Sequence, residues 1–548
     1  MIHIFEKSGS IHLSAPITQP GSPPDTLSRR RFLRNSTIIA AAGLARPLWL
    51  FSGTAEQAPY QPIADNLPAR PKEKALRWKT IADAFDAYVF DPANGILMHR
   101  ADGTPFFASA TQSKNDGGLT TFGPLLLGKI LRGDDVSALM PALSAYFHAR
   151  PGIFVDGAGA DLMEYWYLMN VNSLAAGIIR SSAASDAQWI GRLRKSLDRL
   201  VALARQIQYN FNDQGYDFSK NAPWTKQDIY RQPDAIAGYA YLMLMGHESL
   251  GGEVYLKEAK SALARYQAFQ KNPWYEIPSG AMGCLAAARL SAHYRDTGAD
   301  VHKALSFALD SNIGCLQTGE WGGREVNGLM GGWCTEPPGV AYSMESMVAL
   351  PYLLPVLRYH PEYATDIGKY ALNAAANLRL FYSEHLPADM QSKAGFAPAI
   401  PYERLSRELH GHSPYAAGDY DGHRSVYGGA YALWWGELVQ PTENDYILRL
   451  DLAKTDFLAR TSYPSYLYYN PWPERREVSL SLPAGQWDVY DTLAHRFIRE
   501  GARSSISLAI PASASRVVVV IPAGRKRHTV SGVFHVGDVP VDYHASRS

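Results

Sequence analysis

The run Asp234-Ala235-Ile236-Ala237-Gly238-Tyr239-Ala240-Tyr241-Leu242-Met243-Leu244-Met245-Gly246 carries no charge after its first residue. A helix of this composition is apolar on every face and must be buried on every face. The segment that follows, 252–271, is of another kind, with Lys257, Lys260 and Arg265 set against apolar positions. Such a helix keeps one face in water. The same alternation recurs along the chain. Segment 186–210 is amphipathic, its Leu193, Leu197, Leu200, Val201 and Ala204 falling at helical spacing. Segments 161–182, 277–290 and 341–357 are apolar nearly all round and rich in Ala, Gly and Ser. Outer and inner helices alternating in two layers describe an α/α toroid. No fixed period links the pairs, so a regular solenoid is not expected.

Helical spacing extends outward from this run, from about Glu73 to about Arg460, with expected helices that include 136–148 and 443–459. Pro273, Gly298, Pro361 and Gly428-Gly429 mark joins. After Arg460 the period changes to two. Tyr466-Leu467-Tyr468-Tyr469, Glu477-Val478-Ser479-Leu480-Ser481-Leu482, Trp487-Asp488-Val489-Tyr490, Ile506-Ser507-Leu508 and Arg516-Val517-Val518-Val519-Val520-Ile521 read as strands separated by turn residues. The organisation expected is a toroid over 73–460 and a small antiparallel β-sandwich domain over 461–523. A tail, 524–548, either adds a strand or stays loose.

Ahead of the toroid, 56–72 is rich in Pro, Gln and Ala and reads as a linker. Ser28-Arg29-Arg30-Arg31-Phe32-Leu33-Arg34 resembles a bacterial twin-arginine export signal. An apolar block and Ser52-Gly53-Thr54-Ala55 follow in the order such a signal requires, so 1–55 is expected to be removed after Ala55. The protein is then expected in the periplasm or secreted, with no stable membrane anchor after cleavage.

The formal charge of the 548-residue chain is +1, so no global field recruits nucleic acid. The 32 Tyr and 12 Trp are a surplus of groups that stack on sugar faces, although the same residues fill ordinary cores. Three cysteines, Cys284, Cys315 and Cys334, show no zinc or redox spacing and read as buried thiols, with one disulfide as the alternative.

A helical toroid followed by a β domain resembles the α/α-toroid group of carbohydrate-active enzymes, which includes polysaccharide lyases and some glycoside hydrolases. The segment Asn272-Pro273-Trp274-Tyr275-Glu276-Ile277 is similar to a Trp-rich Glu-Ile segment of chondroitin and hyaluronan lyases, from which it departs at Pro273 and in spacing. The resemblance implies a poly- or oligosaccharide substrate and assigns no catalytic role to any residue here; no cofactor is expected.

Polar clusters at inner-helix ends are the expected site, because the loops of one rim converge on the cleft. Four stand out. The first is 224–234, with Trp224, Asp228, Arg231 and Asp234. The second holds Trp274 and Glu276, a carboxyl in an apolar, aromatic setting that suits a general acid. The third is the glycine-rich pair of loops that carries Trp333 and Glu336; Cys334 beside Glu336 lacks a second cysteine or histidine at ligand spacing, so no metal site is expected. The fourth is the densest titratable stretch, with His412, Tyr420, His423, Arg424 and Tyr427.

These residues suit β-elimination on an acidic glycan. Arg424 or Arg231 would neutralise the uronate carboxylate, His423 or His412 would remove the proton, and Tyr420, Tyr427 or Tyr275 would protonate the leaving oxygen. A glycoside hydrolase is the alternative, with a carboxyl pair drawn from Asp228, Asp234, Glu276, Glu336, Asp419 and Asp421. A third reading is a glycan-binding protein without catalysis, which needs only stacking aromatics. Catalytic candidates are therefore His423, Tyr427, Tyr420, Glu276 and Asp228. Substrate-binding candidates are Arg424, Arg231, Trp224, Trp274, Trp333, Asp234, Glu336 and His412.

Overall fold

Six helices buried over most of their length form a ring in the computed structural model, and amphipathic helices pack outside it. The structure describes residues 62–294, 297–332, 339–392, 397–407, 415–417 and 424–545. Its α-helices are α1 Trp78–Phe90, α2 Gly118–Arg132, α3 Tyr165–Ser182, α4 Ala187–Gln206, α5 Ala235–Leu250, α6 Glu253–Ala268, α7 Ile277–His293, α8 Val301–Ala308, α9 Ser343–Leu353, α10 Val356–Tyr359, α11 Ala364–Asn377, α12 Val426–Gly429 and α13 Ala432–Leu438.

The ring runs α2, α3, α5, α7, α9, α13 and closes where α13 meets α2. Outside it, α1 packs on α13, α4 on α3 and α5, α6 on α5 and α7, α8 on α7, and α11 on α9. Burial follows the composition. Every residue of α5 from Ala235 to Gly246 is buried, and so is all of α9. In α4 only one stripe is buried, which includes Leu193, Leu197, Leu200, Val201 and Ala204. Small residues let the inner helices approach closely. A Cβ on Gly238 of α5 would lie 2.9 Å from Met169 Cβ of α3, closer than packed carbons allow.

Two expected helices are corrected. Segment 136–148 holds a 3-10 turn, Met140–Tyr146, followed by the short strand Phe147–His148. Three-residue spacing sets Leu143 and Tyr146 on one side, where both are buried. Segment 443–459 contains no helix. Leu448–Asp451 is a strand whose burial alternates, and Asp451 Oδ1 accepts the Ala453 and Lys454 N–H groups, a local turn that competes with helix.

That strand belongs to a six-stranded antiparallel sheet in the order Val439–Pro441, Leu448–Asp451, Ser465–Asn470, Ala514–Pro522, Trp487–Asp491, Arg496–Ala502. A second layer pairs Arg476–Ser481 with Ser505–Ile510. Within the strand Ala514–Pro522, the run Val517–Ile521 is β-branched throughout because both its faces are buried. Val518 and Val520 join Val478, Leu480 and Leu508 between the layers, while Val517 packs with the helical core. Residues beyond Gly524 form a three-stranded sheet, Arg527–Val530, Val533–Val536 and Val539–Asp542, whose Val536 and Val541 cover Val519 and Ile521.

The ring has two different ends. At one, the inner helices begin, and side chains stitch each start to the next. Gln232 ahead of α5 accepts from Trp166 N in the first turn of α3 at 2.8 Å, and Asp234 binds the segment that opens α7. At the other end the helices finish. Arg180 of α3 donates to Ser249 Oγ of α5 at 2.8 Å, and Arg289 of α7 pairs with Glu248 of α5 at 3.1 Å. Arg358 of α10 pairs with Asp456, which also accepts from Tyr359 OH at 2.6 Å. The β region packs here, with Tyr543 against His293 and Tyr359. No helix among the described residues is long and apolar enough to cross a membrane. Cys284 and Cys315 are buried free thiols, and Cys334 lies outside the described residues.

Candidate active site

Carboxylates gather where the inner helices begin. Glu164 immediately precedes α3, Asp234 precedes α5, Glu276 precedes α7, and Glu345 lies in the first turn of α9. The partial positive charge of helix N-termini favours anions at such positions. Glu403 joins them through the backbone, its carbonyl accepting from Ser343 N at 3.0 Å at the start of α9. Glu276 is 1% exposed and Glu345 0%. Glu164, Tyr167, Glu403 and Tyr427 are half-buried and stand on the solvent side of the group.

Tyr427, in α12, sits among these acids. Its ring is partly exposed, but its hydroxyl is buried and has no hydrogen-bond partner among the described residues. Burial holds the phenol well above its ordinary range, and Tyr167, Glu345, Glu276 and Glu403 push in the same direction. A buried hydroxyl without a partner costs free energy, and three glutamates around it make the spot suited to a hydroxyl-rich ligand. The backbone must approach closely here. A Cβ on Gly428 would crowd Ser343 Oγ and lie 2.7 Å from Glu403 Oε2.

Asp234 braces the group. Its Oδ2 accepts from Tyr275 N at 2.9 Å and Glu276 N at 3.1 Å, which fixes the backbone that carries the Glu276 side chain. Burial pushes its carboxyl up to about 7 against those N–H bonds. With Oδ2 engaged by two backbone N–H groups, Asp234 positions the Glu276 backbone in this arrangement. Glu164 is held similarly, accepting from Gln232 Nε2 at 2.7 Å and Gln214 Nε2 at 3.0 Å.

The structure thus brings together Asp234, Glu276 and Tyr427 from the sequence candidates. Others lie elsewhere. Asp228 is on the outside of the rim, its side chain 88% exposed and paired with Arg231, which also pairs with Asp213. Arg424 is wholly buried, donates to the Ile400 carbonyl at 2.8 Å and stacks 4.0 Å from the Tyr402 ring centre. In that position it braces the loop beneath the site and is not open to a substrate carboxylate. Trp224 is in the strand Ala222–Trp224 beside Gly215, and Trp274 is 9% exposed against Gly331. His412, Tyr420, His423, Trp333 and Glu336 lie outside the described residues.

Sequence reading passed over Glu164, Tyr167, Glu345 and Glu403. The signal for Glu345 was present: it is the single charge in Ser343-Met344-Glu345-Ser346-Met347-Val348-Ala349-Leu350, a helix buried throughout. A lone carboxylate there has a position that propensity does not explain. Glu403 sits in a loop with no such contrast.

The arrangement is an α/α toroid with a carboxylate-lined end, followed by an antiparallel β region. No family model and no curated protein matches the chain. Similar solved structures include the cellobiose 2-epimerase of Spirochaeta thermophila DSM 6192, with a TM-score of 0.42 at 11% identity, covering 66% of this chain and 96% of that one. A family 76 glycoside hydrolase (mannosidase) of Bacteroides thetaiotaomicron VPI-5482 has a TM-score of 0.42 at 8% identity over 66% of this chain and 97% of its own. The α-1,6-mannanase of Salegentibacter sp. has a TM-score of 0.39 at 14% identity over 66% and 98%.

Proposed function

We propose that the protein is a carbohydrate-active enzyme that hydrolyses a glycosidic bond with two of the carboxyl groups at the amino end of the ring. The observation that carries this reading is the buried Tyr427 hydroxyl, without a hydrogen-bond partner among the described residues and flanked by Glu276, Glu345 and Glu403. In such a site one carboxyl protonates the leaving oxygen. The second activates a water or attacks the anomeric carbon. Glu276, whose backbone is fixed by Asp234, takes the acid role. Glu345 or Glu403 supplies the second carboxyl, and Tyr427 hydrogen-bonds the sugar or the second carboxyl.

β-Elimination fits less well. It needs a cation beside the substrate carboxylate, and Arg424 is engaged with Ile400 and Tyr402. Several glutamates at the centre would also repel a uronate. A neutral glycan is the substrate class this charge favours. The pattern at 28–34 supports export by the twin-arginine route. Incubation with neutral glycans and with uronate polymers tests the reading: new reducing ends from a neutral glycan are expected. An unsaturated uronate product would replace hydrolysis by elimination, and binding without product would leave a glycan-binding module.

A further inference from the structure

His360 and Glu362, between α10 and α11, meet His544 near the end of the chain, so that one ligand atom of each lies within 4.8 Å of the others. This cluster lies outside the carboxylate site. We propose that the three residues bind a divalent transition cation of the zinc class, which clips the segment around His544 to the helical ring. Two imidazoles and a carboxylate are a donor set that zinc accepts with water in the fourth position.

The surroundings of both histidines suit ligation. His544 Nε2 lies 2.8 Å from the Tyr359 carbonyl, which can only accept, so the proton stays on Nε2 and the lone pair on Nδ1. A metal-ligating histidine commonly donates its other N–H in this way. His360 Nδ1 lies 3.0 Å from Glu362 Oε1, and its Nε2 lies 2.6 Å from Ser291 Oγ. Without metal, Nδ1–H donates to the carboxylate and the serine hydroxyl donates to Nε2. With metal on Nδ1, the proton moves to Nε2 and is donated to Ser291 Oγ. The serine hydroxyl then turns to the Ala288 carbonyl, 2.9 Å away. Ser291 thus accommodates either tautomer, with no proton gained or lost.

Ligand atoms on a tetrahedral zinc are about 3.3 Å apart, so the set must contract. His360 is only 12% exposed, but the Glu362 side chain, 36% exposed, is free enough to move. The clip would hold the segment whose Tyr543 already packs on His293 and Tyr359.

The test uses the full chain, stripped with a chelator and titrated with zinc alone by calorimetry, with thermal unfolding alongside. One tight equivalent and a raised midpoint are expected. Glu362→Gln keeps an acceptor for His360 but loses the anionic ligand, and should bind at least about tenfold more weakly. His544→Ala should lose the equivalent and the midpoint shift while keeping the wild-type circular dichroism. No zinc uptake by the wild type, or uptake unchanged in both variants, would overturn the proposal. Should His544→Ala fail to fold, Glu362→Gln alone decides.

Discussion

The two ends of the inner ring obey the same electrostatics and reach opposite results. Helix starts favour anions and helix finishes favour cations. Accordingly, one end holds Glu164, Asp234, Glu276 and Glu345, and the other holds Arg180, Arg289 and Arg358. At the carboxy end the cations have near partners: Arg289 with Glu248, Arg358 with Asp456, Arg180 with Ser249. At the amino end, polar atoms remain unsatisfied among the described residues, including Tyr427 OH, Ser343 Oγ, Ser279 Oγ and Asp234 Oδ1. Buried polar groups in a finished core are satisfied. The carboxy end keeps Tyr241 OH without a partner among the described residues as well, so the contrast lies in the buried ion pairs of one end and the cluster of unsatisfied oxygens at the other.

The largest expected effect is at the carboxy end. Asp456→Ala leaves Arg358 buried without its partner, a loss of about 3–5 kcal/mol. Denaturant unfolding should show it, with turnover per folded molecule unchanged. A mild loss would mean that this end is no more tightly built than the other.

The amino end should show its strain as a pH dependence. Asp234 keeps its proton to about 7 when folded, against 3.8 ordinarily. Between these values the unfolded chain binds fewer protons than the folded one. Stability therefore falls as pH rises from about 4 to about 7, by at most about 4 kcal/mol. Asp234→Asn, which keeps the acceptor for Tyr275 and Glu276, should remove that slope in midpoints measured across the range. A slope unchanged in the variant would place its source elsewhere.

The same substitution at both ends sharpens the contrast. Tyr359 OH donates to Asp456 at 2.6 Å, whereas Tyr427 OH has no partner among the described residues. Tyr359→Phe should cost about 1.5–3 kcal/mol, a hydrogen bond to a charged group. Tyr427→Phe should cost none and lower activity. Equal losses at the two positions would erase the distinction.

The inner and outer helices were legible because burial on all sides demands an apolar composition on all sides, as in 234–246. The strand at 448–451 was missed. Its four residues are too short a run to oppose the helical spacing around them, and its partner, Ser465–Asn470, lies further along the chain. In the candidate site, Glu276 stood out by its apolar, aromatic setting and Tyr427 by the density of titratable groups around it. Glu403 reaches the centre only through a loop, and Asp234 was read as a rim group because its two N–H donors come from the start of another helix. The cluster of His360, Glu362 and His544 escaped for the same reason: His544 is distant in sequence from the other two and meets them only in the fold.

The most direct test of the central claim is Glu276→Gln, with reducing-end release from a neutral glycan and the thermal midpoint measured on the same preparation. A carboxylate that transfers the proton predicts a fall of about 10²–10⁴-fold in rate at an unchanged or raised midpoint. Activity near the wild-type level, or a fall matched by loss of folded protein, would contradict it.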